Sequence, residues 1–306
     1  MIRTKLLAAV VVLVSSAPLH AQSDSTRWQR FLPHIHYFRP LVADLQEPRL
    51  GLALLQTNVF KYAGQGRERP AFSLPDPKDS EFDVEIAAAI GGSLPLWQFK
   101  EWPGKGGIVA SAQLGVFPRF RIEYPTRIDA GEDWFVGMPI EVAYERWSGR
   151  FRIMHRSSHL GDELIEVTGA QRIEFGGEFA DFLAAYRVAD DLRVYGGATY
   201  NFRSYTEILP ALRVRGLHDY GALQAGVDGT WYRWSGGHAG FTAGVDWQAQ
   251  QRTNWRSIYA FAAGPALRSN GRATRLLVRH YRGPSAMGEF FMTPEKLWSI
   301  EWVVDF

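Results

Sequence analysis

The chain has 306 residues, thirty glycines, eleven tryptophans and no cysteine, and 14% of its residues are aromatic. Its 34 basic and 32 acidic residues nearly balance and form no basic run, which argues against a nucleic-acid-binding protein, while the lack of cysteine excludes disulfides and thiolate chemistry. Abundant glycine and aromatic residues, with a slightly negative mean hydropathy, favour one large barrel domain that shows alternate residues to lipid and to water.

The first predicted element is a cleaved signal peptide over residues 1–21. Two basic residues precede an apolar run at residues 6–14, which is too short to span a bilayer, and small residues lead to a cleavage site after residue 21. Removal of this segment leaves 32 bases and 32 acids. Residues 22–49 have no regular period, and we expect them to form a periplasmic or lumen-packing segment ahead of a barrel over residues 50–306.

Beyond residue 49 the dominant pattern is an alternation of apolar and polar residues, in segments of about ten residues. This pattern predicts an all-β protein, a transmembrane antiparallel up-and-down β-barrel of about twelve strands. The segments cover residues 50–59, 82–92, 107–117, 138–147, 150–157, 171–187, 191–203, 219–234, 238–250, 255–267, 272–282 and 296–306. In the last segment the even-numbered residues from Trp298 to Phe306 share one apolar face, which is typical of a lipid-facing strand.

Tight turns and long connections alternate between these segments. Residues that favour tight turns occur at 148–149, 189–191, 235–237 and 269–271. The longer stretches are 60–81, 118–137, 158–170, 204–218 and 283–295. Bacterial outer-membrane barrels have this arrangement, with short turns in the periplasm and long loops outside. Two connections depart from it: 93–106 is long for an inner turn, and 251–254 is short for an outer loop.

The ending of the chain, an amphipathic strand that closes with Phe306, resembles the C-terminal signature of bacterial outer-membrane proteins. The barrel assembly machinery of those bacteria recognises this signature. The resemblance implies that the chain resides in the bacterial outer membrane, with outer-membrane lipid and the assembly machinery as its partners.

Charged residues on the polar strand faces predict the state of the lumen. Glu141 and Glu145 on the fourth segment are predicted to lie opposite Arg152 and Arg156 on the fifth. Further charges of both signs continue around the predicted wall: Glu174, Glu178, Arg193, Asp228, Asp246, Arg275, Arg279 and Glu301. Because opposite charges pair across strands and the N-terminal segment has room to enter, we expect a narrow or closed lumen.

Three stretches carry a family resemblance. They are Phe-Arg-Pro-Leu-Val-Ala-Asp at residues 38–44 with Glu-Pro-Arg at 47–49, His-Arg-Ser-Ser-His-Leu-Gly-Asp-Glu at 155–163, and the terminal strand. Together they resemble the bacterial domain-of-unknown-function family numbered 1207, whose members look like outer-membrane proteins. The resemblance implies an outer-membrane barrel and brings no established activity.

The second of these stretches contains a candidate catalytic pair. Alternation places His155 and Ser157 on the lipid side of the fifth segment, and a serine nucleophile needs a base within hydrogen-bond reach. Outer-membrane phospholipase A and the lipid A deacylases look similar here, since both families use a His-x-Ser pair on the outer barrel surface with an Asn or Glu downstream. This chain has Ser158 where they tend to have Asn, and its candidate orienting acids are Glu163, Glu166 and Glu174.

Two other interpretations of the motif stay open. In the structural one, His155 and Ser157 are interfacial polar residues, and Ser158, His159, Gly161 and Asp162 belong to a turn. In the other, His155, His159, Asp162 and Glu163 bind Zn²⁺ or Ca²⁺. The first functional interpretation is therefore an outer-membrane barrel with a structural or narrow-channel role and no required cofactor. The alternative is an outer-surface serine hydrolase acting on acyl esters of phospholipid or lipid A.

Overall fold

The computed structural model describes residues 30–57, 83–122, 127–168, 172–173, 175–205 and 219–305. Within them, twelve antiparallel strands close into a barrel in which each strand pairs with its sequence neighbours and the first pairs with the last. The strands are β1 Leu50–Thr57, β2 Asp83–Trp102, β3 Gly106–Ile122, β4 Arg127–Tyr144, β5 Trp147–Leu160, β6 Gly176–Ala189, β7 Leu192–Ser204, β8 Gly221–Trp234, β9 Ala239–Gln250, β10 Ser257–Ser269, β11 Arg272–Pro284 and β12 Pro294–Asp305. The predicted fold class is confirmed.

Two stretches predicted as connections are instead largely strand. Residues 93–102 continue β2, and the connection to β3 is a tight turn at 103–105. The register of β2 against β3 shifts between Pro95 and Trp97 and again between Gln98 and Lys100. Because each bulge moves the following side chains to the other face, the period-two signal is broken there. Residues 118–137 are mostly the ends of β3 and β4, which also meet at a register shift.

The two ends of the barrel differ. Five short connections lie at one end, together with the start of β1 and the finish of β12, and we term this the turn end. Longer connections lie at the loop end, including a helix α1, Asp162–Thr168, after β5. The connection after β9 is short, as predicted, and holds the 3₁₀-helix Gln251–Thr253.

No helix among the described residues is long and apolar enough to cross a bilayer. The predicted signal peptide and Phe306 lie outside the described residues.

The outer wall of the barrel is apolar. Large hydrophobic side chains are exposed on every strand, and they include Leu54, Ile90, Leu114, Met138, Ile153, Phe182, Val194, Leu223, Val245, Phe261, Val278 and Trp302. Exposed aromatic side chains lie near both ends of the wall, and at the turn end Trp147 and Tyr186 have ring centroids 4.8 Å apart. Because a soluble protein rarely exposes a continuous apolar surface of this extent, the outer wall fits a lipid environment.

Candidate functional site

Residues 36–49, which we term the plug, lie inside the turn-end half of the lumen. Wall carboxylates hold its backbone. The Glu141 carboxylate accepts the amide N–H of Tyr37 at 2.8 Å and that of Phe38 at 3.0 Å. Asp228 accepts the amide N–H of Val42 at 3.2 Å. Since the plug forms no regular secondary structure, these wall groups satisfy backbone donors that would otherwise be buried unpaired.

A buried ion pair anchors the end of the plug. Arg150 on β5 donates to both oxygens of Glu47, at 2.5 and 3.2 Å. Only 1% of the Glu47 side chain and 2% of the Arg150 side chain are exposed. Burial would raise the pKa of Glu47, but Arg150 and Arg152 outweigh it and hold this pKa below its ordinary value. The carboxylate is therefore charged and tied to the wall at neutral pH.

An apolar contact fixes the middle of the plug. Phe38 lies between two wall guanidiniums, with 4.9 Å from its ring centroid to Arg150 Cζ and 5.0 Å to Arg193 Cζ. Phe38 and Leu41 pack in one buried cluster with Leu183 and two further wall residues, Ala185 and Tyr195. Part of the inner wall is consequently as hydrophobic as a protein core.

The loop-end half is crossed by residues 285–293, the connection between β11 and β12, which we term the lid. The Gly288 amide donates to Asp133 on β4 at 3.1 Å, and the Glu289 amide donates to Ser158 Oγ on β5 at 3.0 Å. Phe290 and Phe291 are fully buried. The lid thus extends from one side of the barrel to the opposite wall.

Arg252 supports the lid from the loop-end side. Its guanidinium is buried among three rings, with Cζ lying 4.7 Å from the centroid of Phe175, 5.1 Å from Tyr220 and 5.0 Å from Phe291. Plug and lid meet through Gln46, whose side-chain amide donates to the backbone oxygen of Ala286. A small cavity of about 80 Å³ remains between them.

The predicted placement of Glu141 opposite Arg152 or Arg156 is wrong. The register places Glu141 opposite Arg150 and places Arg152 opposite Pro139. Glu141 binds plug amides, as described above, and Arg152 Nε donates to Asp181 on β6 at 2.7 Å. The strand register therefore separates Glu141 from Arg152, and the plug amides take up the Glu141 carboxylate.

Arg156 and Glu145 also differ from their predicted roles. Arg156 faces the lumen, as expected, but donates to the side-chain oxygen of Gln46 and lies 5.6 Å from the centroid of Phe179. Glu145 is not in the lumen. It occupies the exposed turn between β4 and β5 with a φ of 56°, where it pairs with Lys105 at 3.1 Å.

On the outer wall, the structure joins His155 to an acid. His155 Nδ1 lies 3.2 Å from Glu178 Oε1 on the adjacent strand β6. The Tyr205 hydroxyl donates to the same oxygen at 3.3 Å. The pair is accessible, with 44% of the His155 side chain and 28% of the Glu178 side chain exposed. Ser157 follows on the same face of β5, as predicted, and makes no hydrogen bond to His155.

Glu178 was predicted to face the lumen, and that prediction is wrong. Its neighbour Phe179 points inward and packs on Tyr220, and Leu183 on the same inner face packs on the plug. Glu178 therefore shares the outer face of β6 with the exposed Phe182. Sequence alternation alone does not distinguish the two faces here, because both are apolar.

The other motif residues do not join this cluster. Glu163 and Glu166 lie on α1, and no contact joins either to His155. Ser158 is buried beneath the lid, and His159 is exposed. Glu174 lies outside the described residues. No group of three potential metal ligands forms in the described part of the chain, so the predicted four-residue metal set is not brought together there.

Gly161, in the motif at residues 155–163, lies where the neighbouring backbone leaves no room for a larger residue. A Cβ at this position would lie 1.9 Å from the backbone oxygen of Asp129, and backbone cannot yield as a side chain end can. We expect Gly161→Ala to reduce the heat-modifiable, folded fraction on gels. Gly92→Ala on the outer wall is the control, since its Cβ would meet nothing within 4 Å. Equal folded fractions for the two variants would contradict the packing argument.

Comparison with known proteins agrees with this architecture. A family model described as a protein of unknown function (DUF1207) matches residues 84–301. No relative among the curated protein sequences matches the chain. Outer membrane phospholipase A from Escherichia coli is 12% identical with a TM-score of 0.54, over 93% of this chain and 99% of that one. The NanC porin is 11% identical with a TM-score of 0.45, over 84% and 100%. The likeness to the phospholipase shows a shared fold.

Proposed function

Because the chain belongs to the DUF1207 family of proteins of unknown function and folds as an outer-membrane type of barrel, we propose that it is a bacterial outer-membrane protein whose lumen is held closed by its own plug and lid. The turn end would then face the periplasm and the loop end the exterior, as in bacterial barrels generally. In this orientation β12 ends in the periplasm, where the assembly machinery would recognise it.

The observation that supports this proposal is the double crossing of the lumen. The plug crosses the turn-end half and is tied to the wall by Glu47, while the lid spans the loop-end half and reaches Asp133. A twelve-strand barrel that lacked such segments would have room for solvent. Closure by two inserted segments favours a structural or gated role over that of a permanently open porin.

Planar-bilayer recording tests the closed state directly. The purified intact protein, inserted in a lipid bilayer with concentrated potassium chloride on both sides, should show no steady conductance. An open porin recorded under the same conditions is the positive control. Stable conductance steps from the intact protein would contradict the proposal.

A second candidate function, a lipid-directed serine hydrolase, is favoured by the contact between His155 and Glu178. A carboxylate at Nδ1 fixes the tautomer of the imidazole and leaves Nε2 free to act as a base. Ser157 lies two residues further on the same exposed face, and contacts between nucleophile and base are often longer before substrate binds. Outer membrane phospholipase A, which shares the fold, is by its name an enzyme that acts on phospholipid.

In this candidate reaction, Ser157 Oγ attacks the carbonyl carbon of a lipid acyl ester while His155 Nε2 takes the hydroxyl proton. His155 returns that proton to the departing alcohol as the ester C–O bond breaks, which leaves an acyl group on Ser157. Water then attacks the acyl-enzyme with His155 again as base, and fatty acid is released. Glu178 is the positioning residue, because it stabilises the imidazolium that forms at each step.

Release of fatty acid from phospholipid in mixed non-ionic micelles tests the hydrolase. With calcium or with a chelator present, the wild type should release fatty acid, Ser157→Ala should be at background, and Glu178→Gln should lower the rate by up to roughly 10⁴-fold. His280→Ala is the matched control, since His280 is a second outer-wall histidine and stacks on Trp298 at a centroid distance of 4.3 Å. Absence of release by the wild type, or equal rates for Ser157→Ala, would exclude this function.

A further inference from the structure

A second and larger cavity, of about 420 Å³, lies in the turn-end half of the lumen between the plug and the wall. Arg39 lines it from the plug, and Ser93, Thr230, Tyr232 and Arg275 line it from strands β2, β8 and β11. Its volume is within the range of sites that bind small molecules. The family motif at residues 38–44 supplies one wall, and closure of the lumen does not by itself explain an arginine at position 39.

Arg39 differs from the other arginines that line this cavity. Each of the others has a carboxylate partner: Arg49 with Glu301, Arg150 with Glu47, Arg193 with Asp228, and Arg275 with Asp305. Arg39 has no such partner within 4 Å among the described residues, and its side chain is exposed to the cavity. Partial desolvation inside the lumen lowers the pKa of Arg39, the Arg193 guanidinium lowers it further, and the Asp228 carboxylate opposes both.

The plug holds the Arg39 backbone while leaving the side chain unbound. The residue before a proline is restricted to extended backbone, which applies to Arg39 because Pro40 follows it. On one side the Phe38 amide donates to Glu141 at 3.0 Å, and on the other Arg193 Nη2 donates to the Pro40 oxygen at 2.9 Å. These contacts fix the backbone on both sides of Arg39 and leave its guanidinium free to contact a ligand in the cavity.

Three polar atoms on residues that line the cavity lack hydrogen-bond partners. Ser93 Oγ, Arg150 Nε and Arg275 Nε are buried and make no hydrogen bond within the described part of the chain. Buried polar atoms of this kind are uncommon in folded proteins and lower stability unless a ligand or water satisfies them. These atoms are themselves buried, so the group that a ligand in the cavity would meet is the exposed Arg39 guanidinium.

We infer that this cavity binds a small oxyanion solute, one that carries a carboxylate or a phosphate group, with Arg39 as its main anchor. The planar guanidinium donates two parallel hydrogen bonds to either group. Arg193 is already neutralised by Asp228, so the charge that favours an anion over a neutral ligand is that of Arg39, which has no carboxylate partner among the described residues. The inference is independent of the proposed closure, because binding is measured on the folded protein without reference to conductance.

Isothermal titration of the full mature barrel, folded in non-ionic detergent, tests the site. The probes are citrate for carboxylates, inorganic phosphate for phosphates, and glucose as a neutral solute. We expect citrate or phosphate to bind with one site per chain, glucose not to bind, and Arg39→Gln to weaken the affinity by about tenfold or more. Arg39→Lys should retain part of the affinity, since it keeps the charge and loses the planar fork.

The matched control is Arg272→Gln, an exposed arginine at the turn end that does not line the cavity. Its affinity for the anion should equal that of the wild type, and all variants should show the same heat-modifiable migration. Binding of citrate alone would assign a carboxylate ligand, and binding of phosphate alone a phosphate ligand. If neither anion binds the wild type, or if Arg39→Gln binds as well as the wild type, the inference is wrong.

Discussion

Replacing both the plug and the lid by flexible segments should convert a protein that conducts no ions into an ion channel. In the test variant, residues 37–47 and 286–292 are each replaced by glycine and serine segments of equal length, so that chain connectivity and strand register are kept. The wall left behind is lined by charged side chains that water can solvate once the inserted segments are gone. Planar-bilayer recording should then show steady conductance where the intact protein shows none.

The single replacements are the controls for this experiment. Each leaves one of the two barriers in place, so each should conduct far less than the double variant. A third control replaces residues 30–35, whose backbone pairs with β2 near Leu96 and Gln98 at the turn end instead of filling the lumen. If the double variant is folded but shows no conductance, the side chains of the wall are enough to close the lumen. The plug and the lid would then not be the barriers to ions.

The second large effect is expected at the buried ion pair of the plug. Glu47→Ala removes the carboxylate that both satisfies and neutralises Arg150, and breaking a buried pair in this way costs about 3–5 kcal/mol of unfolding free energy. Asp162→Ala is the matched control. Its pair with Arg172 has the same 2.5 Å separation as the closest contact of Arg150 with Glu47, but 85% of the Asp162 side chain is exposed. Exposed pairs contribute little, so this variant should unfold near the wild-type midpoint.

Urea unfolding in detergent micelles, followed by tryptophan fluorescence, measures the difference. Acidification should act in the same direction as Glu47→Ala. Because the pKa of Glu47 in the folded protein lies below its ordinary value of 4.5, the stability from this pair is present above pH 4.5 and is lost as the pH falls through the folded value. Equal midpoints for the Glu47 and Asp162 variants would mean that water already reaches Arg150 and that the plug is weakly held.

The local sequence was sufficient for the barrel itself. Period-two alternation placed twelve strands, and turn residues located most of the tight connections, because both signals depend on residues that are close in sequence. The same alternation put His155 and Ser157 on the outer face of β5. It failed in β2, where two register shifts interrupt the period.

Only the tertiary structure shows which charged residues contact one another inside the barrel. Glu47 meets Arg150 across 103 residues of chain, and Glu141 meets the plug backbone across a similar distance, so no spacing rule connects them. Filling the lumen also makes part of the inner wall apolar, and for that reason the pattern of β6 could not show that Glu178 faces outward beside His155. The local pattern of residues shows that a strand has two faces. The segments that occupy the lumen decide which of those faces points inward and which points to the outside.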